Sequence, residues 1–296
     1  MSSSTRTRRS SAAGKATRPK ARTGAATART RSASKTASAR RAPTKTAARS
    51  RGAAVVARKA AAPASATPAR FEGFGADTLA FLRELERHNE REWFEAHRER
   101  YEQSVKQPAL AFIAAMAPEL ERVMPSFVAD PRPVGGSLMR IHRDVRFSPD
   151  KRPYKTNVGI HFRHVVGKDV HAPGVYVHID PQDCFVGVGL WRPEPEALAL
   201  IRKRIVERPS EWTAARNASA FRNAFTLMGE MLARAPRGFD PAHPHVDDLR
   251  RKDHIAGAKL TAAELADREL PRAVSRRLTA AKAYLQFLCA ALDLSL

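Results

Sequence analysis

The first seventy positions of this 296-residue chain contain no aspartate, no glutamate, no aromatic side chain and no leucine. A segment without large apolar groups cannot recover the entropy of ordering its backbone, so residues 1–70 are expected to form a disordered arm. Cysteine is scarce as well. Cys184 and Cys289 stand alone, far apart and outside any CxxC spacing, which excludes a disulfide framework and points to a reducing, cytoplasmic setting. No run of eighteen apolar residues occurs, so a spanning helix is excluded on length and no membrane insertion is expected. No apolar stretch follows Arg8-Arg9, which argues against twin-arginine export, and the Pro-punctuated arm offers no amphipathic face for a mitochondrial transit peptide. GxxxxGK[ST], GxSxG and HExxH are all missing, and Gly187-x-Gly189 lacks the third glycine of a dinucleotide fingerprint. The sequence therefore gives no reason to expect a cofactor or a metal.

What the arm does contain is positive charge. Eighteen Lys and Arg residues lie between Met1 and Arg70, out of a formal net charge of +22, which leaves +4 for residues 71–296. The cations come as singles and pairs, such as Arg8-Arg9, Arg40-Arg41 and Arg58-Lys59, interrupted by Pro19, Pro43, Pro63 and Pro68. Each cation that neutralises a phosphate releases condensed counterions, so the arm is expected to bind DNA or RNA steeply with salt and without sequence choice, which would make the protein nucleoid-associated. Its composition resembles the Ala/Lys/Arg/Pro-rich tails of linker-histone-like proteins. A solubilising extension is the bland alternative, and an anionic membrane surface would attract it only peripherally.

Residues 71–296 hold every Phe, Tyr and Trp, and are read as one α+β domain. Three amphipathic helices open it: one through Leu79, Phe81, Leu82 and Leu85, one with Trp93, His97 and Tyr101 at i, i+4 and i+8 that Asn89 can cap, and one from Pro108 through Phe112, Ile113, Met116, Leu120 and Val123. The period then changes to two. Segments 138–145, 158–165, 174–180 and 185–191 alternate and read as an antiparallel sheet of about four or more strands, packed on the helices through a face that includes Met139, Ile141, Ile160, Phe162, Val175 and Val177. Helices return at Glu194–Val206, in the Trp212–Leu232 region and from about Pro271. The outward sheet face should carry Arg140, His142, Asp144, His161, Arg163, Tyr176, His178 and Asp180, with Gly187 and Gly189 leaving room for a ligand.

The densest polar stretch runs from Arg140 to Asn157. Arg140, Arg143, Arg146, Lys151 and Lys155 are the candidate anion-binding residues, with Asp144 and Asp150 supporting them through ion pairs. A structural ion-pair network pinning a long loop is the competing reading. His142, Tyr154 and His178 are the candidate proton-transfer residues should the domain be an enzyme for a phosphorylated or otherwise anionic substrate. A protein-interaction module is the third possibility.

Phe71-Glu-Gly-Phe74, His88-Asn89-x3-Trp93-Phe94, the block Arg143-Asp144-x-Arg146-Phe147-Ser-x-Asp150-Lys151-x-Pro153-Tyr154-Lys155, Gly187-x-Gly189-Leu190-Trp191-x-Pro193 and Pro236-Arg237-Gly238-Phe239 together resemble the uncharacterised microbial domain-of-unknown-function family 2461. The resemblance covers nearly all of residues 71–296. It implies a cytosolic single domain and carries no catalytic residues over.

Overall fold

The computed structural model describes residues 70–167 and 172–296; the arm, and every expectation placed on residues 1–69, lies outside the described residues. The buried side chains form one contiguous cluster that begins at Phe71 and reaches Ala291.

The opening helices follow their apolar spacing. In α1 (Ala76–Arg87) the inward residues are Phe81, Leu82 and Leu85, while α2 (Arg91–Ala96) buries Phe94. Tyr101 closes the short α3 (Arg98–Tyr101), and a π-helical turn, Glu102–Lys106, leads directly into α4 (Gln107–Val123). Arg100 fastens this run to α1 by bonding both Asp77 and Glu84.

The sheet has six strands, β1 (Phe127–Val128), β2 (Val158–His164), β3 (Gly174–Ile179), β4 (Phe185–Leu190), β5 (Thr226–Met228) and β6 (His254–Lys259), in the order β1-β2-β3-β4-β6-β5. Every neighbouring pair is antiparallel. Ile160, Phe162, Val175, Val177, Ile179, Val186, Val188 and Leu190 are buried on the inner face. Over them lies α10 (Leu270–Ala291), in contact with β4 and α4, and also with α5 (Pro195–Glu207), α6 (Pro209–Asn217) and α7 (Ser219–Ala224). The short α8 (Val246–Leu249) packs on α5, and α9 (Ala262–Ala266) starts at a capping box between Thr261 and Glu264. No described helix is long and apolar enough to cross a membrane.

Three sequence expectations need correction. Residues 138–145 do not form a regular strand: isolated bridges join Leu138 to Ile160 and His142 to Tyr154, so four steps on one side span six on the other. The extra residues bulge, the alternation breaks, and Met139 emerges exposed where an inward position was expected. The Trp212–Leu232 region is not helical throughout, because Phe225 leaves the helical conformation after α7 and the chain enters β5. Asn89 does not cap α2, whose N-cap is Glu90.

Candidate functional site

The basic hairpin is held at its base by backbone bonds from Arg143 N–H to the Pro153 carbonyl, Lys155 N–H to Ile141, Met139 N–H to Gly159 and His161 N–H to Ser137, all 2.8–2.9 Å. Asn89 anchors it to the helices. Its carboxamide donates to the Tyr154 carbonyl and accepts from the Tyr154 N–H, both at 3.0 Å, while the Tyr154 ring stacks on Phe94 with centroids 4.1 Å apart. Tyr154 is therefore buried, and that burial raises its phenol above the ordinary value.

Beyond this base the charges pair within the loop. Asp150 accepts from Arg152 and, at 2.6 Å, from Arg143; these bonds hold its carboxyl well below the usual range. Arg146 grips Asp144 at 2.7 and 2.9 Å, lowering that carboxyl too, and Lys151 Nζ donates to the Val145 carbonyl at 3.0 Å. Arg140 and Lys155 have no acidic partner among the described residues. Burial, then the neighbouring Arg140, lowers the Lys155 ammonium below its ordinary value.

A cleft of about 160 Å³ brings Arg143, Asp150, Tyr154 and Lys155 together with Arg152, Thr156 and Asn157. From its rim, Asn157 Nδ2 reaches His178 Nδ1 at 3.3 Å and the Tyr176 hydroxyl at 3.4 Å, linking the hairpin to β3. His178 also stacks on Phe185, with centroids 4.9 Å apart, and burial lowers its imidazole pKa. Arg146, Asp144 and Lys151 belong to the outer loop rather than the cleft. His142 is exposed and leans on Tyr154 at 5.2 Å. Asn157 and Asn89 carry the connections that charge counting missed, since a neutral carboxamide leaves no signal in a charge pattern.

A second polar cluster had no sequence signature at all. The buried carboxylate of Asp248 accepts from Trp212 Nε1 at 2.8 Å and pairs with Arg216 at 3.2 Å. Nearby, His254 is fully buried, with neither ring nitrogen bonded to a described residue, and the Tyr284 hydroxyl is likewise unbonded.

These features define an α+β protein with helices over one face of an antiparallel sheet and a cation-rich hairpin at the edge of the other. The chain belongs to the family described as conserved hypothetical protein (DUF2461), whose model matches residues 77–287. No curated protein and no solved structure matches it.

Proposed function

We propose that this protein associates with nucleic acid through phosphate contacts made by the arm and extended by the hairpin at residues 140–155. One observation carries the reading: where the charge sits. Residues 71–296 carry a net +4, and the segment 140–155 alone, with six cations against Asp144 and Asp150, also carries +4. The rest of that region sums to zero but is uneven: residues 268–282 also carry +4 and residues 71–106 carry −3, and the hairpin is the basic stretch that stands on a loop braced at its base. Such contacts give affinity without base choice. Fluorescence anisotropy with a labelled DNA duplex and a labelled RNA tests the reading. The full chain should bind both, and alanine at Arg140, Arg146, Lys151 and Lys155 should weaken binding while the fold persists. A full chain that binds neither at about 0.1 M salt, where screening acts over about 10 Å, refutes it.

A specific observation favours a second reading, a small phosphorylated or carboxylate ligand in the cleft. Lys155 is half-buried beside Arg143 without an acidic partner among the described residues, and Asn157 lines the same cleft with its Nδ2 turned to Tyr176 and His178. Titrating pyrophosphate against an NMR spectrum should then move the Lys155 and Asn157 signals in the wild type, and the Asn157 signal should stay in place in Lys155→Met.

A further inference from the structure

The outer face of the sheet holds a feature that phosphate attraction does not use. Five glycines lie in its strands, and at four of them a β-carbon would strike something: the Tyr176 hydroxyl at 2.7 Å for Gly159, His161 Nε2 for Gly174, the His254 carbonyl oxygen for Gly189 and Met228 Sδ for Gly257. Gly187 differs. Its nearest neighbours would be the Phe185 ring at 3.5 Å and Tyr176 Cβ at 3.8 Å, ordinary contact distances. The missing side chain of Gly187 leaves a shallow dip that the Phe185 ring touches, between Tyr176 on β3 and Gly257 on β6, the latter covered by Met228.

The wall toward β3 is a π surface, and Met228 stands on the β6 side. Tyr176, His178 and Phe185 form a half-exposed cluster with centroid separations of 5.8, 4.9 and 6.2 Å. Burial raises the Tyr176 phenol and lowers the His178 imidazole, so both rings are neutral at pH 7. Cations border the cluster on two sides. Asn157 ties it to the hairpin bearing Lys155 and Arg140, and the exposed Lys259 stands in register with Phe185. Neutral aromatic faces with cations on two sides, and with the Asp180 and Asp183 carboxylates confined to the His178 end, complement a base that has left its stack and phosphates that keep to the cationic sides. A duplex keeps its base faces covered and has nothing to offer the dip.

We propose that an unpaired polynucleotide strand lies across this sheet face, with one base over Gly187 against Tyr176 and Phe185 and its flanking phosphates on the Lys155 and Lys259 sides. The inference rests on the nucleic-acid reading and adds to it a preference for unpaired strands.

Full-length protein is titrated by anisotropy with labelled oligo-dT, oligo-U and a DNA duplex of the same length. The wild type should favour the unpaired strands; similar binding of oligo-dT and oligo-U identifies any unpaired strand as the ligand, and a gap between them identifies the sugar. Gly187→Val, whose Cβ meets only ordinary contacts, should weaken unpaired-strand binding by about fivefold or more, the scale of one lost base stack. Duplex binding should not move, and Gly187→Ala, whose Cβ fits without a clash, should weaken unpaired-strand binding in the same direction with only a small fall in the unfolding midpoint. Because a variant can fail to fold, the wild type is also irradiated with a 4-thiouridine-substituted strand, and adducts should map to peptides bearing Tyr176 or Phe185. Equal wild-type affinity for duplex and unpaired strands, or adducts confined to residues 1–70, overturns the proposal while leaving backbone association intact. Loss of all salt-dependent binding sinks the underlying reading instead. A second copy of the chain on this face would appear as Gly187→Val dissociating a dimer in sedimentation without changing strand binding, and that outcome also overturns it.

Discussion

Asn89 joins the first helices to the basic hairpin with one side chain, because a carboxamide can donate to and accept from the same residue's backbone. Asn89→Ala strands the Tyr154 N–H and C=O in a buried place, and an unsatisfied buried group costs about 1–3 kcal/mol. The urea midpoint should fall and the Tyr154 amide should exchange faster; unchanged exchange at Tyr154 would show that the anchor lies elsewhere. His254 bears on pH instead. Burial, with Arg251 and Arg202 nearby, lowers its pKa to about 3, against about 6.5 in an unfolded chain. Below pH 6.5 the unfolded state binds a proton that the folded state refuses, so stability is complete above that pH and declines as pH falls toward 3. His161, lowered to about 4 by burial and Arg163, acts with the same sign. One such histidine removes about 2 kcal/mol between pH 6.5 and pH 5. In urea titrations at pH 7 and pH 5, His254→Gln should lose less stability across that interval than the wild type, and equal losses would contradict the assignment.

At the scale of elements, Gly187 and Gly189 look alike in the sequence, two residues apart on one strand and one face. The fold separates them. Gly189 has φ +116° and its missing β-carbon would overlap the His254 carbonyl oxygen, so β4 can lie against β6 only with glycine there. Gly189→Ala is expected to destabilise the protein by at least about 2 kcal/mol and Gly187→Ala by less than about 1 kcal/mol, read from urea midpoints. Comparable losses at both sites would mean that the two glycines do the same job. The same contrast explains what a sequence can disclose. β2, β3 and β4 were legible because Val, Ile and Phe alternate over six or seven residues. β6 was not, because its buried residues are His254, Ala256 and Ala258, without a branched apolar side chain to mark the period. β1 and β5 are too short to carry any period. The candidate site divides in a similar way. Its cations and their carboxylate partners announced themselves by charge, whereas Asn89 looked like a helix cap and Asp248 gave no hint of Trp212, thirty-six positions away.

For the whole molecule the governing quantity is how charge is divided between the arm and the rest, because phosphate contacts leave a countable trace in the salt dependence. Each neutralised phosphate steepens the plot of log affinity against log salt by about 0.9 on duplex DNA and about 0.7 on a single strand. Residues 71–296 carry a net +4, all of it matched by the hairpin. A protein trimmed to residues 71–296 keeps every residue of the buried cluster, which starts at Phe71, and so should retain its cooperative unfolding. Its salt slope on duplex DNA should then be no steeper than about −4, since roughly four net charges are there to meet phosphate. The full chain, with eighteen further cations, should show a distinctly steeper slope on the same duplex. Alanine at Arg140 and Lys155 in the trimmed protein should make its slope shallower by about 2, because neither residue is engaged by a carboxylate among those described. Measuring anisotropy at four or five salt concentrations for the three proteins decides the matter. Equal slopes for the full and trimmed chains would mean that the arm stays off the phosphates, and a slope insensitive to Arg140 and Lys155 would remove the hairpin from the interface.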